Sequence, residues 1–97
     1  MIVEERYIGA QRGLHVIAAS RMVQFLRAFS STITINYNGK TANCKSIISL
    51  LALEINENIK VRIATEGPDE EEEMKLFIDF LSSWGDDVDA EADIDIE

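Results

Sequence analysis

His15 is the one imidazole among 97 residues, and its setting is that of a helix start. It follows Gly13-Leu14 and stands directly before a stretch of helical period, at or beside an N-cap. The first-turn amides of Ile17 and Ala18 then lack intrahelical acceptors and point toward whatever the ring carries. Such an end favours anions by roughly 0.3–1 kcal/mol, and by more when partly buried. It also opposes a cationic ring, which leaves a neutral nitrogen able to act as a nucleophile. An imidazole on a helix N-terminus is therefore a device suited to accepting a phosphoryl group. A capping histidine with no chemistry occupies the same position, and this geometry alone does not choose between the two.

The other reactive residue types are few. Ser46 opens a short apolar segment, where its first role is to cap a helix. A phosphate added there would meet the helix N-terminus and the neighbouring Lys45, so its charge is tolerable. Cys44 closes a strand and packs as a small hydrophobe. A single cysteine forms no internal disulfide, and one His with one Cys cannot make a self-contained structural zinc site. Asp87, Asp89 and Glu91 have the alternate spacing of a calcium loop, but the sixth position, which needs Gly, is Ala92. No metal or other cofactor is expected.

Composition narrows the class further. Eighteen acids against nine bases give a net charge of −9, which argues against nucleic acid or an anionic membrane as the main partner. No apolar run approaches the roughly 20 residues of a membrane span. The start MIVEERY carries acids where a signal peptide is basic and then apolar. A small cytoplasmic domain is the expectation. Seven of the acids fall between Asp86 and Glu97, and the rest of the chain is nearly balanced, with eleven acids and nine bases. The stretch 86–97 has no aromatic residue and only scattered small aliphatics, too little to offset the entropy of ordering it. The division expected is a domain over residues 1–85 and a solvated acidic tail over 86–97.

The elements that must position His15 and Ser46 follow from periodicity. Ile2 to Ile8 reads as a strand whose Glu4, Glu5 and Arg6 suit a sheet edge. Val16 to Phe29 has the helical period, with Ala19, Met22, Val23, Leu26 and Phe29 on one stripe and Arg21, Gln24 and Arg27 facing away. Thr32 to Tyr37 alternates as a half-buried strand. Asn38-Gly39 supplies two residues that accept positive φ, the strongest short hairpin signal, and the chain returns through Lys40 to Cys44. Ile47 to Leu53 is a short docked helix. Ile59, Val61 and Ile63 alternate as a further strand. Gly67-Pro68 ahead of the acids 69–73 signals a helix start, with Pro in the first turn and carboxylates favoured by the dipole. Met74, Phe77, Ile78, Leu81 and Trp84 form the buried stripe of that helix, and Gly85 ends it. The order strand, helix, strand, strand, short helix, strand, helix predicts an α+β fold with helices on one face of a single sheet.

GLH at 13–15, NYNGK at 36–40, NCKSII at 43–48 and GPDEEEE at 67–73 together resemble HPr, the histidine-containing phosphocarrier of the bacterial phosphoenolpyruvate-dependent sugar phosphotransferase system. The resemblance runs over about residues 2–84. It implies an open-faced β-sandwich, with four antiparallel strands and three helices. It also implies a carrier rather than an enzyme acting on a small molecule: His15 would receive phosphate from Enzyme I and pass it to sugar-specific enzyme IIA proteins. Ser46 matches the serine phosphorylated by a dedicated kinase in many members, and a transcriptional regulator becomes a further partner. Ile47, Ile48 and Leu51 match apolar positions through which the family docks, although each also suits a core. One departure touches the chemistry. After the histidine the family reads small residue, Arg, Pro, whereas here stand Val16, Ile17 and Ala18. Losing one charge-assisted hydrogen bond to the phosphoryl group costs about 1.5–3 kcal/mol, on the order of 10- to 100-fold. Arg12 and Arg21 are the available substitutes. Ser49, Glu54, Asn56 and Asn58 also stand where the family often has small residues or glycine. The alternative is an HPr-fold regulatory binding module that no longer relays phosphate.

Overall fold

A computed structural model describes residues 1–8 and 14–82. Arg12, Trp84, Gly85 and the acidic stretch 86–97 lie outside those residues. In chain order the elements are β1 (Ile2–Tyr7), α1 (Val16–Leu26), β2 (Thr32–Tyr37), β3 (Lys40–Asn43), α2 (Ile47–Leu51), β4 (Lys60–Glu66) and α3 over residues 70–82. The strands form one sheet in the order β1-β4-β2-β3, with every neighbouring pair antiparallel. The charged β1 takes an edge, as its sequence predicts.

Alternation along the strands explains why one face is covered. Ile33 and Ile35 of β2, Ala42 of β3, and Val61, Ile63 and Thr65 of β4 are buried, while Asn36, Lys60 and Arg62 between them are exposed. Onto the apolar face α1 turns Ala18, Ala19, Met22, Val23 and Leu26, α2 turns Leu50, and α3 turns Met74, Phe77 and Leu81. The result is one α+β layer pair with a single core. Each large side chain removed from water there contributes about 1.5–3 kcal/mol.

The β2–β3 turn has φ of 54° at Asn38 and 80° at Gly39. That is the paired left-handed conformation of a type I′ hairpin. Several boundaries differ from the sequence expectation: β1 and β3 each end one residue earlier, at Tyr7 and Asn43, α2 ends at Leu51 rather than Leu53, and both long helices differ at one end. α1 stops at Leu26 rather than running to Phe29, because the backbone beyond it finds other partners: Phe29 N–H donates to the Leu26 carbonyl at 3.0 Å, and the Phe29 carbonyl accepts from Lys45 Nζ at 2.6 Å. Phe29 still joins the core from the loop, with its ring 5.3 Å from that of Phe25. At α3, Asp69 is the cap, since its carbonyl accepts the first helical bond, from Glu73 N–H at 2.9 Å. Pro68 therefore precedes the cap and is not in the first turn.

Candidate functional site

His15 is the N-cap of α1. Its backbone is extended (φ −84°, ψ 178°), and its carbonyl accepts the first helical bond, from Ala19 N–H at 2.8 Å. Leu14 anchors the approach: it is buried, and its N–H donates to the Ile55 carbonyl at 2.8 Å. The ring folds back over the first turn, so that Nδ1 accepts from Ala18 N–H at 3.4 Å. An Nδ1 that accepts carries a lone pair, which puts the proton of the neutral ring on Nε2. The residue is half-buried and its Nε2 is enclosed. The nitrogen at the helix end is thus the basic one. At 3.4 Å the bond from Ala18 is long and weak.

Around the ring, Ile17 is half-buried and packs against the core, whereas Val16 is 62% exposed. Arg21 is exposed on α1, about 9 Å of helical rise beyond His15. No group of three or more potential metal ligands occurs among the described residues.

Ser46 caps α2 as expected, its Oγ accepting from Ser49 N–H at 3.3 Å. Sequence reading overlooked that Ser49 works in both directions: its own Oγ accepts from Asn43 N–H at 2.8 Å, tying α2 to the end of β3. The S-x-x-S spacing, close to that of a capping box, was the available signal. The Lys45 ammonium donates to the Phe29 carbonyl at 2.6 Å, tying the residue before Ser46 back to the loop after α1. Within α2, Ile48 is 82% exposed and Ile47 37%, while Leu51 is half-buried and packs against the core. Leu50, not one of these three, is the buried anchor. Glu54, just past α2, has φ of 57° and lies 3.7 Å from Lys40. A glycine adopts that backbone without strain.

Phe29, Ser30 and Ser31 connect α1 to β2, and a carboxylate that sequence reading assigned only to a helix N-terminus holds this loop. Glu73 is buried and accepts from Ser30 N–H at 2.9 Å and Ser31 N–H at 2.8 Å. Burial pushes its carboxyl pKa up, but the hydrogen bonds from Ser31 and Ser30 together outweigh that and hold it below the ordinary value. Burial alone pushes the Cys44 thiol up, in keeping with an inert core residue.

Compared with protein families, residues 3–83 match the one described as the PTS HPr component phosphorylation site. The phosphocarrier protein HPr of Borreliella burgdorferi is 42% identical over 84 residues, spanning 87% of this chain and 98% of that protein. Among solved structures, HPr-C-His from Thermoanaerobacter tengcongensis superposes with a TM-score of 0.79 at 34% identity, covering 86% of this chain and 93% of that one. A phosphocarrier protein HPr from Bacillus anthracis gives 0.69 at 29% identity, covering 88% and 99%. Fold and family match thus define a small phosphocarrier. The chain belongs to the HPr family of the phosphotransferase system.

Proposed function

We propose that this chain relays phosphate through His15, taking it from Enzyme I and giving it to sugar-specific enzyme IIA proteins in the cytoplasm. The observation that carries the reading is the lone pair of Nδ1 held against the N-terminus of α1. In the forward step this lone pair attacks phosphorus and a P–N bond forms. The donor's bond to phosphorus breaks, and its electron pair leaves with the donor. Ala18 N–H then donates to a phosphoryl oxygen in place of the ring, and Ile17 N–H, which has no intrahelical acceptor, supplies a second donor. The proton on Nε2 stays, and the positive charge of the ring offsets the negative charge of the phosphoryl oxygens. Transfer onward reverses the same steps. Arg12 or Arg21 would supply the cation that Ile17 cannot.

Exposed Ile47 and Ile48, with Leu51 behind them, would form the docking surface beside the acceptor. Ser46 is a regulatory phosphosite in this reading: a phosphate there replaces the hydroxyl as acceptor for the α2 amides and sets charge within the apolar surface. A kinase and a transcriptional regulator follow as partners. No helix among the described residues is long and apolar enough to cross a membrane. In this reading the domain is residues 1–85, and the acidic stretch 86–97 is a solubilising appendage.

Incubation with phosphoenolpyruvate and Enzyme I tests the relay, with acid-labile phosphate on His15 as the expected product. The apolar pair Val16-Ile17 after the histidine favours a second reading, a regulatory module docking without relay. Labelling of Ser46 by the kinase, with no labelling by Enzyme I, would establish that one instead.

A further inference from the structure

The outer edge of β1 is paired with no described strand, and its residues are self-complementary in one register. Ile8 N–H donates inward to the Ile59 carbonyl at 3.1 Å, and the antiparallel register with β4 continues from there through Glu4↔Ile63 and Ile2↔Thr65. The even-numbered residues of β1 therefore spend their backbone groups on β4, and Val3, Glu5 and Tyr7 direct theirs outward. The side chains alternate too. Ile2, Glu4 and Arg6 face the helix side, lining a groove with Met74 and Ile78, while Val3 and Tyr7 lie 49% and 59% exposed on the open face. One outward carbonyl is already covered in a makeshift way: Arg6 bends over the edge so that Nη1 donates to the Glu5 carbonyl at 2.7 Å.

We propose that this edge pairs with the same edge of a second copy of the chain, antiparallel about a two-fold axis at Glu5. Two-fold symmetry with the helices on one side requires like faces to meet, so only registers that pair odd with odd and even with even residues are possible. Centring on Glu5 sets Glu4 opposite Arg6 of the partner subunit at both symmetric positions. It also sets Val3 opposite Tyr7 of the partner subunit at both. The odd pairs are those with outward N–H and C=O groups, so these become the hydrogen-bonded pairs of the new ladder. Shifting the centre to Glu4 instead places Glu4 against Glu4 of the partner subunit and Val3 against Glu5 of the partner subunit, losing both complementarities. In the favoured register Glu5 meets its own symmetry mate, but Arg62 lies 3.5 Å from it within each copy and offsets that repulsion. Arg6 gives up its bond to the Glu5 carbonyl, which takes the partner's N–H in exchange, and the Glu4–Arg6 ion pair within each copy, at 2.9 Å, is exchanged for the pairs across the axis. The product is one eight-stranded sheet whose two β3 edges, followed in each copy by α2 and Ser46, lie at opposite ends. Association is independent of the relay and leaves both candidate docking surfaces free.

A six-residue edge buries far less than a standard interface of about 1,600 Å², so the dimer is weak. Sedimentation and amide exchange by NMR on the full chain, from roughly 10 µM to 1 mM, cover the range in which so small a contact associates. The expected result is a concentration-dependent dimer, with the Val3, Glu5 and Tyr7 amides gaining protection as it forms. Glu4→Arg and Arg6→Glu should each weaken it at least about tenfold by opposing like charges, and the double reversal should restore it. Val3→Pro removes an outward donor while leaving the β1–β4 ladder intact, and should abolish pairing with the fold retained. A monomer throughout the range would overturn the proposal, as would a dimer indifferent to the single reversals. So would protection of those three amides at all concentrations, which would mean that another part of the same chain covers the edge.

Discussion

In the proposed relay the chemistry at His15 depends on which nitrogen faces the helix. The bond from Ala18 N–H fixes that nitrogen as Nδ1, and it places the amide donors where a phosphoryl group would settle. What the first turn lacks is a fixed positive charge, since Ile17 stands where the family has arginine. Ile17→Arg should therefore accelerate phosphoryl transfer by about 10- to 100-fold, the worth of one charge-assisted hydrogen bond. Because Ile17 packs against the core, the same change should lower the melting temperature. Rates from quenched-flow labelling and a thermal melt check the two halves together, and an unchanged rate would mean that another cation already serves. The placement of His15 was legible because Gly13-Leu14 breaks the chain just before a clean helical stripe. The destination of Lys45 was not: its partner is a carbonyl 16 positions away, and neither periodicity nor charge pattern encodes such a bond.

Elements carry most of what the sequence made plain. The Asn38-Gly39 hairpin, the stripes of α1 and α3 and the alternation of β2 and β4 each follow from local rules, because a turn needs positive φ and a buried face needs a fixed period. Tertiary capping is different. Glu73 looked like one carboxylate of an acidic helix start, yet it binds two amides 42 and 43 positions away and joins α3 to the loop ahead of β2. Its folded pKa lies below the unfolded value, so its stabilisation is complete above that value and is lost as pH falls through the folded one. The loss should begin near 4.5, the ordinary glutamate value, and continue below it. Glu73→Gln should cost about 1–3 kcal/mol at neutral pH by placing an amide against two N–H donors. It should also flatten the acid limb of the stability curve, measured by denaturant unfolding at several pH values. Glu54 offers the opposite sign. Its φ is 57°, and its ion pair with Lys40, at 3.7 Å, lies on an exposed surface. Such a pair contributes little, so Glu54→Gly should relieve strain and stabilise the fold by about 0.5–1 kcal/mol. Equal midpoints for the two proteins in urea would refute that.

Across the whole molecule, one core under one sheet face holds the elements in register. Phe77 is fully buried in it, and the neighbouring Phe80 stacks on Phe25 with ring centroids 4.2 Å apart. Phe77→Ala should cost about 3–5 kcal/mol, a large share of a small domain's total, while leaving unfolding cooperative. Calorimetric and van't Hoff enthalpies that diverge in this variant would show instead that the helices and sheet unfold separately. The α+β class was legible from the order of elements, but the strand order β1-β4-β2-β3 was not, because it depends on long-range pairing that local patterns leave open. The relay itself is tested most directly by phosphorus NMR of the chain after incubation with phosphoenolpyruvate and Enzyme I. The account predicts an acid-labile phosphoryl signal on Nδ1 of His15, absent from His15→Ala. An unlabelled native chain, or equal labelling of His15→Ala, would contradict it.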